Sequence, residues 1–136
     1  MLDMHLWEKY KKICFIASFE APRWPAFAII TAWNPASQWV GERRNRRRER
    51  ALLRQLSADF QVAGPVWGSS LDECWRESSL AVALSLPQAR LVAAAFGQHG
   101  FYWVEEGQLW LMPALNQGAS ICLGPIESHW IARNTH

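Results

Sequence analysis

The run Phe27-Ala28-Ile29-Ile30-Thr31-Ala32-Trp33 decides the fold. It is built from β-branched, aromatic and small side chains with no charge, the pattern of a strand covered on both faces and therefore central in its sheet. Asn34-Pro35-Ala36-Ser37 follows and reads as a turn, because Asn and Ser bond nearby backbone and Pro pre-sets its own dihedral. A helix is expected over Glu42 to Ala58. Its apolar stripe is Leu52, Leu53 and Leu56, and the same face one or two turns earlier carries Asn45, Arg48 and Glu49. Phe60 to Trp67 reads as a strand interrupted by Gly64-Pro65, so an edge or bulged strand is expected there. Gly68 to Glu73 forms a loop before a strand over Trp75 to Leu84. Pro87 opens a helix over Gln88 to Phe96, which Gly97 ends. Phe101 to Val104 and Leu109 to Met112 flank a hairpin loop at Glu105-Glu106-Gly107-Gln108. From Phe27 to Val104 the order is strand, helix, strand, strand, helix, strand. That is the split βαβ (βαββαβ) order of α+β ferredoxin-like sandwiches. RNA-binding RRM domains share it, so the order alone selects no function.

Outward from this segment, Leu2, Leu6, Tyr10 and Ile13 recur at helical spacing, and Cys14 to Phe19 reads as an additional strand before the breaks at Pro22 and Pro25. The expected organisation is one α+β domain over residues 1–116, with the hairpin at its C-terminal side. A tail over 117–136 is expected to hold a short helical turn with Ile126, Trp130 and Ile131 on one face, docked on the domain or on a partner.

The 136 residues suit one domain with a core large enough to stand without disulfides or metal. Half are hydrophobic and 19% charged, a globular balance. The longest apolar stretches fall far short of the ~18–20 residues that cross a bilayer, and the charged first dozen residues lack a secretory pattern. A cytoplasmic protein without membrane association is expected. Cys14, Cys74 and Cys122 are odd in number and widely spaced, and no His, Cys or carboxylate spacing suggests a metal; no cofactor is expected.

Between Glu42 and Ala58, seven arginines against two glutamates give a net charge of +5, so the rest of a chain whose total is +2 carries −3. Arg43, Arg44, Arg47, Arg50 and Arg54 lie off the apolar stripe and form a candidate phosphate-binding face. A solvated or partner-facing surface is the alternative reading of the same residues.

The string Thr31-Ala32-Trp33-Asn34-Pro35, then Asn45 and Arg48, Trp75-x-Glu77-x-Ser79 and Phe96-Gly97-Gln98, resembles the bacterial domain-of-unknown-function family 3293 over about Leu6 to Leu111. The resemblance implies a small cytoplasmic α/β protein and transfers no activity. Gly41 stands where that family tends to place a Ser or Thr helix cap.

The candidate ligand-binding set is Asn34, Ser37, Asn45, Arg48, Trp75, Glu77 and Gln98. Asn34 and Ser37 sit between a strand end and a helix start, a place where backbone N–H groups face outward. Trp75, Glu77 and Ser79 alternate along one strand and share a face. Adjacent strands then bring Glu77 toward Arg48 or the Asn34 turn, with Trp33 or Trp75 stacking, a set suited to a small polar or anionic, nucleotide-like molecule. The competing reading makes Asn45 and Arg48 a satisfied buried network that fixes the fold, with Gln98 a helix-capping amide. Catalysis has thin support, since Glu77 is the one acid with a plausible site. Nucleic-acid binding through the arginine face, and a protein-interaction module or homodimer using the aromatic tail, are the other function classes.

Overall fold

The structure is a computed structural model that describes residues 4–115 and 118–134. It is a mixed α+β fold of three helices and one curled eight-stranded sheet. In chain order the elements are α1 (Met4–Lys11), β1 (Cys14–Ala17), β2 (Ala26–Thr31), α2 (Glu42–Asp59), β3 (Gln61–Ser69), β4 (Arg76–Ala83), α3 (Leu86–Ala95), β5 (Gly100–Glu105), β6 (Gln108–Pro113), β7 (Ile121–Pro125) and β8 (Trp130–Ala132). Short 3₁₀ turns lie at Pro35–Ser37 and Ile126–Ser128. Leu2 of the expected helical stripe and the expected boundary at 116/117 lie outside the described residues.

The strand order is β7-β6-β5-β2-β4-β3-β1-β8. The four central strands, β5-β2-β4-β3, are mutually antiparallel. β2 is central, as its uninterrupted apolar sequence requires. β3 carries the expected bulge, between Val62 and Gly64, but it is an interior strand held between β4 and β1. Pro65 is tolerated there because the register with β1 stops at Trp67, so a missing N–H on that side breaks no ladder. α3 opens with a capping box: the Ser85 hydroxyl accepts from Gln88 N while the Gln88 side chain accepts from Ser85 N. The β5–β6 hairpin turns on Glu106 and Gly107, both at positive φ, which matches the twist of a two-residue connection.

Curvature follows from chain length. β7 ends at Pro125 and β8 begins at Trp130, so five steps of chain hold the two outermost strands within about 18 Å. A flat eight-stranded sheet would put them roughly 34 Å apart. Phe15 of β1 and Tyr102 of β5, four strands apart in the order, meet with ring centroids 5.1 Å apart. The His129 ring nitrogens lie 2.9 Å from the Ile13 carbonyl and 3.0 Å from that of Leu123, joining the beginning of β1 to the end region of β7.

Strand alternation therefore sorts side chains onto a convex and a concave face. On the convex face Ala28, Ile30, Leu80, Val82 and Trp103 pack under Leu52 and Leu56 of α2 and Ala89, Val92 and Ala93 of α3. Leu53, expected in the same stripe, is exposed, because it lies about 100° round the helix from Leu52. On the concave face Phe15, Phe27, Ile29, Ala81, Val104, Leu109 and Ile126 form a second core. α1 docks beside it: the Trp7 ring lies against Gly100, where an added Cβ would stand 2.9 Å from the ring, and Tyr102 Oη donates to the Tyr10 carbonyl at 2.6 Å.

The tail is woven into this architecture, since β7 and β8 are its two sheet edges. Trp130 packs on Phe15 and Phe19 and donates from Nε1 to the Phe19 carbonyl, so this ring is used within the chain. Deleting residues 126–136 is expected to abolish cooperative thermal unfolding followed by circular dichroism, since it removes a strand and a core aromatic together. A truncated chain melting within a few degrees of the intact one would contradict this account of the tail.

Candidate functional site

The site is built from the turn that ends β2. Thr31 Oγ1 donates to the Ser78 carbonyl at 2.8 Å and accepts from Trp33 N at 3.0 Å, which stops the strand two residues short of the apolar run's end. The next residues take an uncommon path: Asn34, Ala36 and Ser37 all have positive φ (48°, 52° and 61°), a region that non-glycine residues occupy at a cost. Side chains and backbone from the rest of the chain hold this path in place. Asn45 of α2, fully buried, accepts from Asn34 N at 2.8 Å and donates from Nδ2 to Asn34 Oδ1 at 2.8 Å. Arg48, one turn on, donates from Nε to the Ala32 carbonyl at 2.6 Å and from its guanidinium to the Phe96 carbonyl. Gln98 donates to the Trp33 carbonyl at 3.0 Å and to that of Phe96 at 3.2 Å. Ala36 N donates to the Gly97 carbonyl at 2.7 Å.

Asn34 also faces the other way, donating from Nδ2 to Glu77 Oε2 at 3.1 Å. Glu77, Ser79 and Ala81 alternate along β4 on the concave side, while Leu80 and Val82 lie under the helices. Arg48 approaches the turn from the helix-bearing convex side. Two of its donors go to the Ala32 and Phe96 carbonyls, and among the described residues no ion pair joins it to Glu77.

The concave side opens into a cleft of about 680 Å³ between α1, the sheet and the loop from Ser70 to Trp75. Of the expected site residues, Ser37, Trp75, Glu77 and Gln98 line it; Asn34, Asn45 and Arg48 stand behind it. Trp33, the other expected stacking residue, is buried elsewhere. Its ring meets Trp67 edge-on at 5.7 Å, and Arg46 lies over it at 5.1 Å. The walls are mainly apolar and aromatic, with Phe15, Ile29, Phe101 and Leu111 among them. Their polar groups include two that periodicity assigns no site role, Tyr10 and Tyr102. Tyr10 was expected as part of a core stripe, and its hydroxyl instead bonds Ser37 Oγ. Only the docking of α1 on β5 reveals this, because the two tyrosines are far apart in sequence.

Electrostatically the cleft is unusual for its buried carboxyl, Glu77; Asp72 is the second carboxyl of the lining. Burial pushes Glu77 up to about 8, against the opposing effect of the Asn34 hydrogen bond. Tyr10 is raised by burial, partly offset by the Ser37 bond and reinforced by Glu77. Tyr102 is raised well above the ordinary range, by burial first and then by Tyr10 and Glu77. At neutral pH the part of the wall made by Glu77, Tyr10 and Tyr102 is therefore an uncharged hydrogen-bonding surface, while Lys9, Lys12 and Asp72 bring charge to the lining elsewhere. Among the described residues no group of three or more His, Cys, Asp or Glu is placed to hold a metal ion, and no helix is long and apolar enough to cross a membrane.

Most of the residues that carry the family resemblance, among them Asn34, Asn45, Arg48, Glu77 and Gln98, thus meet at a single turn; Trp75 does not, standing exposed on the Ser70–Trp75 loop. The match to the family model covers residues 30–100, just over half of the chain and less than the span over which the resemblance was read. No curated protein and no solved structure matches the chain. The chain belongs to the family described as "Protein of unknown function (DUF3293)".

Proposed function

We propose that the cleft binds a small, largely apolar molecule whose hydrogen-bond-accepting head reaches Glu77. The observation that carries this reading is Glu77 itself, a buried carboxyl on the wall of an aromatic-lined cleft, with one oxygen held by Asn34 and burial pushing its pKa up to about 8. Ligand sites commonly combine apolar walls with a few placed polar groups in volumes of several hundred Å³. The strained turn supports the same reading, since backbone held at positive φ by an outer ring of hydrogen bonds is a frequent feature of ligand sites. A phosphate-bearing head fits less well. The lining cations are Lys9 and Lys12 of α1, and the guanidinium of Arg48 is engaged on the far side of the turn. The β5-β2-β4-β3 order with α2 and α3 on one face supports reading this part of the chain as a ferredoxin-like βαββαβ unit, widened by β6 and β7 at one end and β1 and β8 at the other.

Benzamide and benzylamine are suitable probes in calorimetric titration. Benzamide, with an acceptor head, is expected to bind at pH 6.5, and to bind at least tenfold more weakly at pH 9, where Glu77 has lost the proton it donates. Benzylamine should show the opposite trend across the same range. Glu77→Leu should abolish benzamide binding; unchanged affinity in that variant would refute the assignment.

A further inference from the structure

The outer face of α2 forms a second surface, remote in character from the cleft. Arg43, Arg47, Arg50 and Arg54 are spaced four, three and four residues apart, which places them within an arc of roughly 60° on the helix. Leu52 and Leu56, which bury the helix, lie roughly on the opposite side. The four arginines form a straight stripe about 16 Å long, with Arg44 at its flank, and all five are exposed.

The acids within the helix do not neutralise this stripe. Glu42 and Glu49 both pair with Arg46, on the edge that faces Trp33 and Trp67. Among the described residues none of the five outer arginines makes an ion pair. A row of four like charges raises its own electrostatic energy and resists compaction. An extended polyanion that tracks the row relieves that repulsion and releases its own counterions. Just before the helix, Trp39 is 67% exposed, a large aromatic ring left open to solvent. Such rings beside cationic rows are the means by which proteins hold unpaired bases, because every base presents a stackable face.

We infer that the Arg43–Arg47–Arg50–Arg54 stripe of α2, with Trp39 at its N-terminal end, is a binding surface for single-stranded nucleic acid. Contacts run to the phosphate backbone and carry little sequence preference. The surface is independent of the cleft, and neither binding event requires the other.

The test is fluorescence anisotropy of the full chain with labelled oligo-dT and oligo-U of twenty nucleotides across a salt series. Four phosphate contacts on a single strand give a slope of log K against log salt near −3, equivalent to about 50-fold weaker binding at 200 mM than at 50 mM. Changing all four arginines to glutamine should flatten that slope nearly to zero while the melting temperature holds, since the side chains are solvent-exposed. Lysine at the same four positions should retain the slope, because the contacts are to point charges. Trp39→Ala should weaken oligo-dT binding severalfold without altering the slope. If the glutamine variant is poorly folded, the Arg47→Gln/Arg50→Gln pair should halve the slope. Absence of binding at 50 mM salt, an unchanged slope in either glutamine variant, or equal retention on polyglutamate, on phosphatidylserine vesicles or on duplex DNA would each overturn the inference.

Discussion

Replacing Glu77 with glutamine raises the melting temperature at pH 8.5 and leaves it nearly unchanged at pH 5. The folded carboxyl titrates at about 8, against an ordinary value of 4.5, because burial disfavours its charge. Between those values the folded protein retains a proton that the unfolded chain has released. Stability accordingly falls as pH rises through the window from 4.5 to 8, then levels off. One pKa unit corresponds to about 1.4 kcal/mol, so even a heavily discounted shift costs about 2 kcal/mol in alkaline solution. Glutamine keeps the shape of the neutral acid and can still accept from Asn34 Nδ2, but it has no charge to bury. A gain of roughly 5–10 °C at pH 8.5 is expected for a chain of this size, with convergence near pH 5. A wild-type-to-variant difference that is flat with pH would show that Glu77 titrates normally and remove the account of Glu77 as an uncharged donor in the cleft.

Asn45→Ala has the opposite effect and a larger one. The side chain is fully buried and makes two reciprocal bonds with Asn34. Its loss strands a buried N–H and a buried amide oxygen, each costing about 1–3 kcal/mol, and a small cavity adds to that. A destabilisation of about 3–5 kcal/mol is expected, measured by urea denaturation, with the melting temperature lowered by more than 10 °C. The variant should keep or steepen the pH dependence of stability described for Glu77, because burial causes that shift and the Asn34 bond opposes it. Denaturation within about 1 kcal/mol of wild type would show that the turn keeps its path without this bond pair.

Much of the architecture was legible because it depends on local chemistry. Seven residues without a charge mark a central strand, Gly97 and Pro87 mark helix ends, and Glu105-Glu106-Gly107-Gln108 marks the hairpin, although Glu105 and Gln108 pair so that its loop is two residues rather than four. β2 ended earlier than its apolar run because Thr31 diverts its hydroxyl to Ser78 and Trp33, a choice periodicity does not register. The candidate site was legible in part. Its residues other than Trp75 do gather on one turn, but from opposite sides of the sheet. Spacing gives the face of each element on which a residue lies, yet it does not say whether the arginine-bearing face of α2 and the Glu77 face of β4 look at the same space. They do not, because α2 covers the convex side and Glu77 lines the concave one. The roles of Tyr10 and Tyr102 were hidden for a related reason: they depend on where α1 docks. The β1–β8 pairing had no local sign at all.

That last pairing orders events in time. Phe15 aligns with Trp130, 115 positions later in the chain, and the loop they close is among the longest the molecule contains. Contacts of such separation form late, because the entropy of closing the loop is lost before they return anything. β1 can pair with β3 well before β8 is made, and residues 26–113 by themselves hold five mutually paired strands and both convex helices. Assembly is thus expected to run from the central strands outward, with the β1–β8 pairing as the final stitch.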